Sequence, residues 1–176
     1  GDTVQDGIRW RVEQGVGTIT LERPERANAI GLAASHALTR AIHAVLDAAP
    51  RVVLLRGTGK IFCAGGDIEE FVAAGDGIDT LVERILEPLH PAIERLGEAP
   101  MPVVSALNGA IGGAGIGVAL CADFVLAAAS MKLRTAVTRS QPRSEPAPAY
   151  SRILGGASPA PTNSFTRSCW ISSSAG

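Results

Sequence analysis

Two glycine-rich segments carry the residues best suited to chemistry. The first, KIFCAGGDI, spans residues 60–68, and the second, NGAIGGAGIG, spans residues 108–117. Because glycine has no Cβ, a backbone N–H in such a segment can approach a ligand closely. Two N–H donors directed at one point form an oxyanion hole, which polarises a thioester carbonyl and stabilises the enolate that forms when an α-proton is lost. The pair of segments therefore indicates chemistry at a carbonyl group.

The elements that must position these segments are two buried strands. Each segment follows an apolar run of the kind found in strands that are buried on both faces, at Val52–Leu55 and at Pro102–Leu107. The second segment leads into a helical stretch at Ile116–Cys121. The positive end of that helix dipole would favour negative charge at the glycine-rich turn.

The remaining pattern alternates strand and helix. Apolar alternation and helical periodicity predict strands at 8–13, 16–22 and 123–127 and helices at 32–48 and 80–96. Pro88 and Pro91 are expected to split the second helix, because proline removes a hydrogen-bond donor and clashes with the preceding turn. Repetition of strand, turn and helix around one core indicates the α/β class.

Composition excludes several classes of function. A length of 176 residues suits one domain, and 16 Lys and Arg against 17 Asp and Glu give no nucleic-acid footprint. Cys63, Cys121 and Cys169 are too few for a disulfide framework or a metal cluster, and the first two are expected to be small apolar fillers. No apolar run approaches the roughly 18 residues of a membrane span. We expect a cytoplasmic protein with no metal, no membrane partner and no nucleic-acid partner.

The C-terminal segment differs in composition from the rest. Residues 140–176 contain nine serines and five of the eleven prolines, without sustained periodicity. We therefore divide the chain into a core at 1–139 and an atypical Ser/Pro-rich tail at 140–176. With an assumed GC-rich codon choice, a one-base shift turns residues 161–176 into an amphipathic helix pattern. We therefore hypothesise a frame-shift near residue 140, which resequencing of the coding DNA would test.

Three ordered motifs resemble the enoyl-CoA hydratase/isomerase (crotonase) family over roughly residues 8–137. They are LERPERANAI, KIFCAGGDI and the segment PVVSALNGAIGGAGIGVALCADFVLA. The resemblance implies an α/β fold, a crotonase-like spiral of ββα units that is truncated before the C-terminal helical part. It also implies assembly into a homo-oligomer, a trimer or dimer of trimers. The implied ligand is an acyl-CoA thioester, with coenzyme A as part of the substrate and no separate cofactor.

The resemblance also implies site residues. It assigns the two oxyanion amides to Gly66 and Ala114. It assigns the backbone that contacts CoA to Arg26, Ala27, Ala64, Asp67 and Ile68. Arg23, Arg26 and Lys60 are candidates for charge-assisted hydrogen bonds to the CoA phosphates, with solvated surface charge as the alternative.

The sequence departs from the family where catalytic carboxylates are expected. Hydratases of the family hold the added water with two glutamates, and the aligned positions here are Gly117 and Val137, neither of which can transfer a proton. Glu145 lies near the position of an acid in isomerase-like relatives, but its surroundings do not resemble that motif. Asp67 and Asp123 are expected to cap or anchor turns rather than to catalyse.

Three functions therefore stay open. The first is an enoyl-CoA hydratase or isomerase. The second is a catalytically impaired acyl-CoA-binding relative, because a general acid or base typically contributes ~10²–10⁴ in rate. The third, a dinucleotide-binding module, is disfavoured, because Gly113, Gly115 and Gly117 do not fit G-x-G-x-x-G and no ribose-binding acid follows.

Overall fold

The computed structural model describes residues 1–134. The strands in this range are β1 (Thr3–Gln5), β2 (Ile8–Glu13), β3 (Val16–Leu21), β4 (Val52–Gly57), β5 (Ile61–Cys63), β6 (Val103–Leu107), β7 (Ala110–Gly112), β8 (Phe124–Ala127) and β9 (Leu133–Arg134). The helices are α1 (Leu32–Asp47), α2 (Ile68–Ala74), α3 (Ile78–Gly97) and α4 (Ala114–Leu120), with short 3₁₀ turns at Pro24–Arg26 and Gly75–Gly77.

The strands form two sheets that the chain visits in turn. A six-stranded sheet has the order β1-β2-β3-β4-β6-β8, antiparallel up to β3 and parallel from there. A three-stranded parallel sheet has the order β5-β7-β9. Each of the pairs β4–β5, β6–β7 and β8–β9 places its first strand in the large sheet and its second in the small one. This is the predicted α/β spiral of ββα units.

The core lies between the large sheet and two helices. Leu38, Ile42 and Val45 follow helical spacing along α1 and are fully buried. With this face α1 packs against α3 and against β2 and β3. Burial of these side chains stabilises the scaffold from which the glycine-rich segments project.

The prediction that the prolines split α3 is wrong. The helix continues from Ile78 to Gly97 with Pro88 and Pro91 inside it. Its apolar face, formed by Val82, Ile85, Leu89, Ala92 and Leu96, is buried across both prolines. The carbonyls left without a helical donor belong to residues 84 and 87, which lie on the exposed side of the helix. Packing against α1 therefore overrides the local preference of proline.

The other predicted elements are confirmed to within two residues, and the helix α2 and four short strands were missed. The missed strands β1, β5, β7 and β9 have two or three residues each, too few for alternation to be visible in the sequence. Among the helices of residues 1–134, none combines the length and the apolar character that a membrane span requires. The Ser/Pro-rich tail at 140–176 lies outside the described residues, and the boundary at 139 stays a prediction.

Candidate functional site

The two glycine-rich segments meet in space. Because β5 and β7 are parallel neighbours, the segments that follow them leave the same edge of the small sheet. Gly65 has a φ of +106°, a conformation that favours glycine. A Cβ built on Gly65 would lie 3.0 Å from the carbonyl oxygen of Gly112 and 3.4 Å from the nitrogen of Ala114. The predicted donors Gly66 and Ala114 therefore belong to loops that are in direct contact.

Both predicted donors have an available N–H group. Ala114 is the first residue of α4, so its N–H has no partner inside that helix. Gly66 directly precedes Asp67, the N-cap of α2. Within the range 1–134, neither N–H donates to a backbone carbonyl. Both residues are partly exposed.

Close backbone packing fixes the second segment. A Cβ on Gly115 would lie 2.8 Å from both the carbonyl oxygen and the Sγ of Cys63, and a Cβ on Gly109 would overlap the Lys60 carbonyl. Burial raises the pKa of the Cys63 thiol to about 11 and that of Cys121 to about 12, so both stay neutral at pH 7. The two cysteines act as apolar fillers, as predicted.

An aromatic ring occupies the space beside Gly66. A Cβ built on Gly66 would overlap the ring of Phe71, which lies one turn into α2 and is partly buried against the core. Gly66 is therefore small because Phe71 fills the position that a side chain would take.

Asp67 holds the start of α2. Its Oδ1 accepts hydrogen bonds from the Glu69 N–H at 3.1 Å and from Arg26 Nη2 at 2.6 Å, and its Oδ2 lies 4.0 Å from Arg23 Nη2. Burial favours the neutral acid, but the Arg26 hydrogen bond and the helix amides outweigh it and hold the pKa of Asp67 below its usual range. The predicted capping role of Asp67 is confirmed.

Asp123 anchors a strand end, as predicted, because its Oδ2 accepts a hydrogen bond from the Val103 N–H at 2.8 Å. Asn28 has a comparable role that the sequence analysis missed. Its side chain donates to the carbonyls of Thr58 and Ile61 at 2.9 and 2.8 Å and accepts from the Arg23 N–H at 2.7 Å. Its φ of +53° lies in the left-handed region, which asparagine adopts more readily than most residues, so an asparagine in a polar loop is the sequence signal for such a role.

The predicted CoA-contacting residues lie around the Gly66 segment. The Ala64 N–H donates to the Ala27 carbonyl at 3.0 Å, which joins two of them directly. Arg26 pairs with both Asp67 and Glu69. Ile68 is 73% exposed at the start of α2. The structure thus brings all five residues to one edge of the fold.

Of the two positions aligned with the hydratase glutamates, Gly117 lies within the described residues. Gly117 is exposed, and a Cβ added to it would meet nothing within 4 Å. Val137 and Glu145 lie outside the described residues. Lys60 is exposed. Within residues 1–134, no group of three or more His, Cys, Asp or Glu side chains is arranged to hold a metal ion.

A comparison with known protein families assigns this architecture. The family model described as enoyl-CoA hydratase/isomerase matches residues 11–140. The chain belongs to the enoyl-CoA hydratase/isomerase family. The matched region contains both glycine-rich segments and the loop that carries Arg26 and Asn28.

Individual relatives within the enoyl-CoA hydratase/isomerase family agree. A probable enoyl-CoA hydratase of Rhodobacter capsulatus is 42% identical over 132 residues, which cover 75% of this chain and 50% of that protein. The 1,2-epoxyphenylacetyl-CoA isomerase of Escherichia coli is 38% identical over 137 residues, covering 75% and 51%. The crystal structure of a putative enoyl-CoA hydratase from Streptomyces coelicolor matches with a TM-score of 0.64 at 33% identity, covering 72% and 47%. The chain spans about half the length of these relatives.

Proposed function

We propose that this chain binds acyl-CoA thioesters and stabilises an enolate in an oxyanion hole formed by the N–H groups of Gly66 and Ala114. The observation that carries this proposal is the contact between the two glycine-rich loops, each with an available N–H. Donors preorganised in this way stabilise negative charge that develops on a carbonyl oxygen. The family to which the chain belongs supports the thioester as the ligand class.

The proposed contacts with the ligand lie at the same edge of the fold as the oxyanion hole. The backbone of Arg26, Ala27, Ala64, Asp67 and Ile68 contacts coenzyme A, which is part of the substrate, and no separate cofactor is needed. Arg23 and Lys60 are candidates for the phosphates. We further propose a cytoplasmic homo-oligomer, a trimer or dimer of trimers, which sedimentation would test. Exposure of Phe124 and Leu126 at the end of the large sheet supports association.

The reaction class is hydration or isomerisation of an enoyl thioester. The names of the two relatives above include both hydratase and isomerase. The alternative is an acyl-CoA-binding relative with impaired catalysis, which the glycine at position 117 favours, because no carboxylate is available there to move a proton. An oxyanion donor alone typically contributes ~10²–10³ in rate.

Replacement of Ala114 by proline tests the proposed hole. Proline is well tolerated at the first residue of a helix, where Ala114 lies, so the fold should persist while the N–H is deleted. Loss of one oxyanion donor typically costs about 2.7–4 kcal/mol in the transition state, whereas a ground-state hydrogen bond contributes about 0.5–1.5 kcal/mol. Turnover of crotonyl-CoA should therefore fall much further than affinity for it.

Ala114→Gly is the matched control, because it changes the side chain and keeps the N–H. Binding measured by calorimetry and turnover measured on the same preparation separate the two readings. Binding with negligible turnover in the unmodified chain supports the impaired relative. If Ala114→Pro folds and leaves both affinity and turnover unchanged, Ala114 is not an oxyanion donor.

A further inference from the structure

We propose that Glu70 is a positioning residue for the Gly66 donor. Its carboxylate caps α1, and this contact fixes α2, and with it the Gly66 peptide, against the rest of the fold. The inference rests on the proposed function, since it concerns the orientation of one of the two oxyanion amides.

Helix α1 takes its cap from another element. Its own N-cap is Gly31, which has no side chain to accept a hydrogen bond. The N–H of Leu32, the first residue of α1, donates instead to Glu70 Oε2 at 2.9 Å. A carboxylate at this end of a 16-residue helix also meets the positive pole of the helix dipole.

Gly31 and Glu70 fit each other. A Cβ built on Gly31 would overlap the Glu70 carboxylate, so the glycine leaves the space that the cap fills. Gly31 itself has a φ of −91°, which any residue adopts. The need for glycine at this position therefore comes from Glu70 and not from the backbone.

Few other contacts hold α2. None of its residues is buried, and Ile68 and Val72 are 73% and 76% exposed. Phe71 is partly buried against the core. Other elements also form side-chain hydrogen bonds with α2 and its N-cap. Their donors are the Arg26 guanidinium and the Leu32 N–H. We therefore expect α2, which otherwise contacts α3, to shift when one of the polar contacts is removed.

The contact made by Glu70 is one half of a clamp around Gly66. On the N-terminal side, the Ile30 N–H donates to the Gly65 carbonyl at 2.7 Å. On the C-terminal side, the Leu32 N–H donates to Glu70. The segment Ile30–Leu32 therefore binds the chain on both sides of Gly66. The Gly65 carbonyl and the Gly66 N–H belong to one planar peptide, so the Ile30 bond orients this N–H directly, and on our proposal Glu70 orients it through α2.

The carbonyl stretching frequency of bound crotonyl-CoA distinguishes positioning from a purely structural role. Hydrogen bonds to a thioester oxygen polarise the carbonyl and lower its frequency, and the effect can be measured by isotope-edited difference infrared spectroscopy without turnover. A residue that only stabilises the fold would change the unfolding midpoint and leave this frequency unchanged in the folded protein.

The experiment compares Glu70→Ala, Glu70→Gln and the control Glu83→Ala, which removes an exposed carboxylate from α3. Glu70→Ala should lose more than half of the frequency shift while the crotonyl-CoA Kd rises by no more than about tenfold, the equivalent of one ordinary hydrogen bond. Glu70→Gln should retain most of the shift, because its amide oxygen can still accept from Leu32. Glu83→Ala should match the unmodified chain.

Gly31→Ala is a second test that leaves the sequence of α2 unaltered. Its methyl group would displace the Glu70 carboxylate from the Leu32 N–H. In the native background it should reduce the frequency shift as much as Glu70→Ala does. In a Glu70→Ala background it should cause no further reduction. If Glu70→Ala does not fold, Gly31→Ala decides the question. An unchanged frequency in both folded variants overturns the role of Glu70. A native chain that binds crotonyl-CoA without a shift overturns the proposed function itself, and the inference with it.

Discussion

The two loops that carry the proposed oxyanion donors are held in different ways. The Ala114 loop is fixed by backbone packing, with Gly115 against Cys63 and Gly109 against the Lys60 carbonyl. The Gly66 loop has a backbone hydrogen bond from the Ile30 N–H to the Gly65 carbonyl, and it depends in addition on charge, through the Asp67–Arg26 ion pair and the Glu70 carboxylate.

The two loops of the site are therefore expected to respond to different changes in conditions. Contacts between backbone atoms depend on volume, so they do not respond to pH or salt. Contacts between carboxylates and their partners depend on ionisation and on screening. Ala114 therefore belongs to a rigid frame, whereas the position of Gly66 can be changed by small changes in charge.

Gly109→Ala is expected to have the largest effect. Its methyl group would overlap the Lys60 carbonyl, which is backbone and cannot move aside as a side chain would. Overpacked substitutions typically cost 1–3 kcal/mol, and we expect about 3 kcal/mol or more here. Urea unfolding at several pH values should show the same loss throughout, because no ionisable group is involved.

Gly117→Ala is the matched control for Gly109→Ala. Gly117 lies in α4, and an added Cβ meets nothing within 4 Å. Replacement of glycine by alanine inside a helix typically stabilises by roughly 0.5–1 kcal/mol. Equal destabilisation by the two substitutions would show that the contact with Lys60 does not fix the loop.

Asp67→Asn is expected to have the next largest effect. Asparagine can still cap α2, but the charge that Arg26 binds is lost. A hydrogen bond to a charged group typically contributes about 1.5–3 kcal/mol, which we expect as the loss in unfolding free energy at pH 7.

The pH dependence of this loss has a definite sign. Because the folded pKa of Asp67 is lowered, its contribution is complete above the ordinary aspartate pKa of about 3.9 and disappears as pH falls through the folded value. The unfolding free energies of the native chain and Asp67→Asn should therefore converge in acid. A difference that stays constant from pH 7 down to pH 3 would contradict the assignment of Asp67 to the charge-dependent loop.

The sequence was sufficient for the frame of the fold and for the candidate segments that the structure brings into contact. Long periodic segments such as α1 and the hairpin of β2 and β3 were predicted because the spacing of their apolar residues indicates which positions are buried. The glycine-rich segments were recognised because few residue types allow such close backbone approach. Their contact through β5 and β7 was implied only by the family resemblance, since strands of three residues leave no readable pattern.

The sequence was not sufficient for contacts between distant elements. Continuity of α3 through Pro88 and Pro91 depends on packing against α1, which no local rule contains. The role of Glu70 depends on a glycine that precedes α1 and lies 39 positions earlier in the chain (70 − 31). A carboxylate in the first turn of α2 looks like a solvated charge until Leu32 is known to lie beside it.

Gly66→Ala has the smallest expected effect and tests whether side-chain packing, as well as charge, holds the Gly66 loop. The added methyl group overlaps the ring of Phe71, so a volume restraint also exists in the charge-held loop. The ring is the end of a partly buried side chain and can rotate away, at a typical cost of about 0.5–1.5 kcal/mol for an off-rotamer position. In a Phe71→Leu background, Gly66→Ala should cost less, because the ring is absent. Thermal unfolding of the four proteins in this double-mutant cycle measures the coupling. An equal cost in both backgrounds would show that Phe71 does not restrict Gly66.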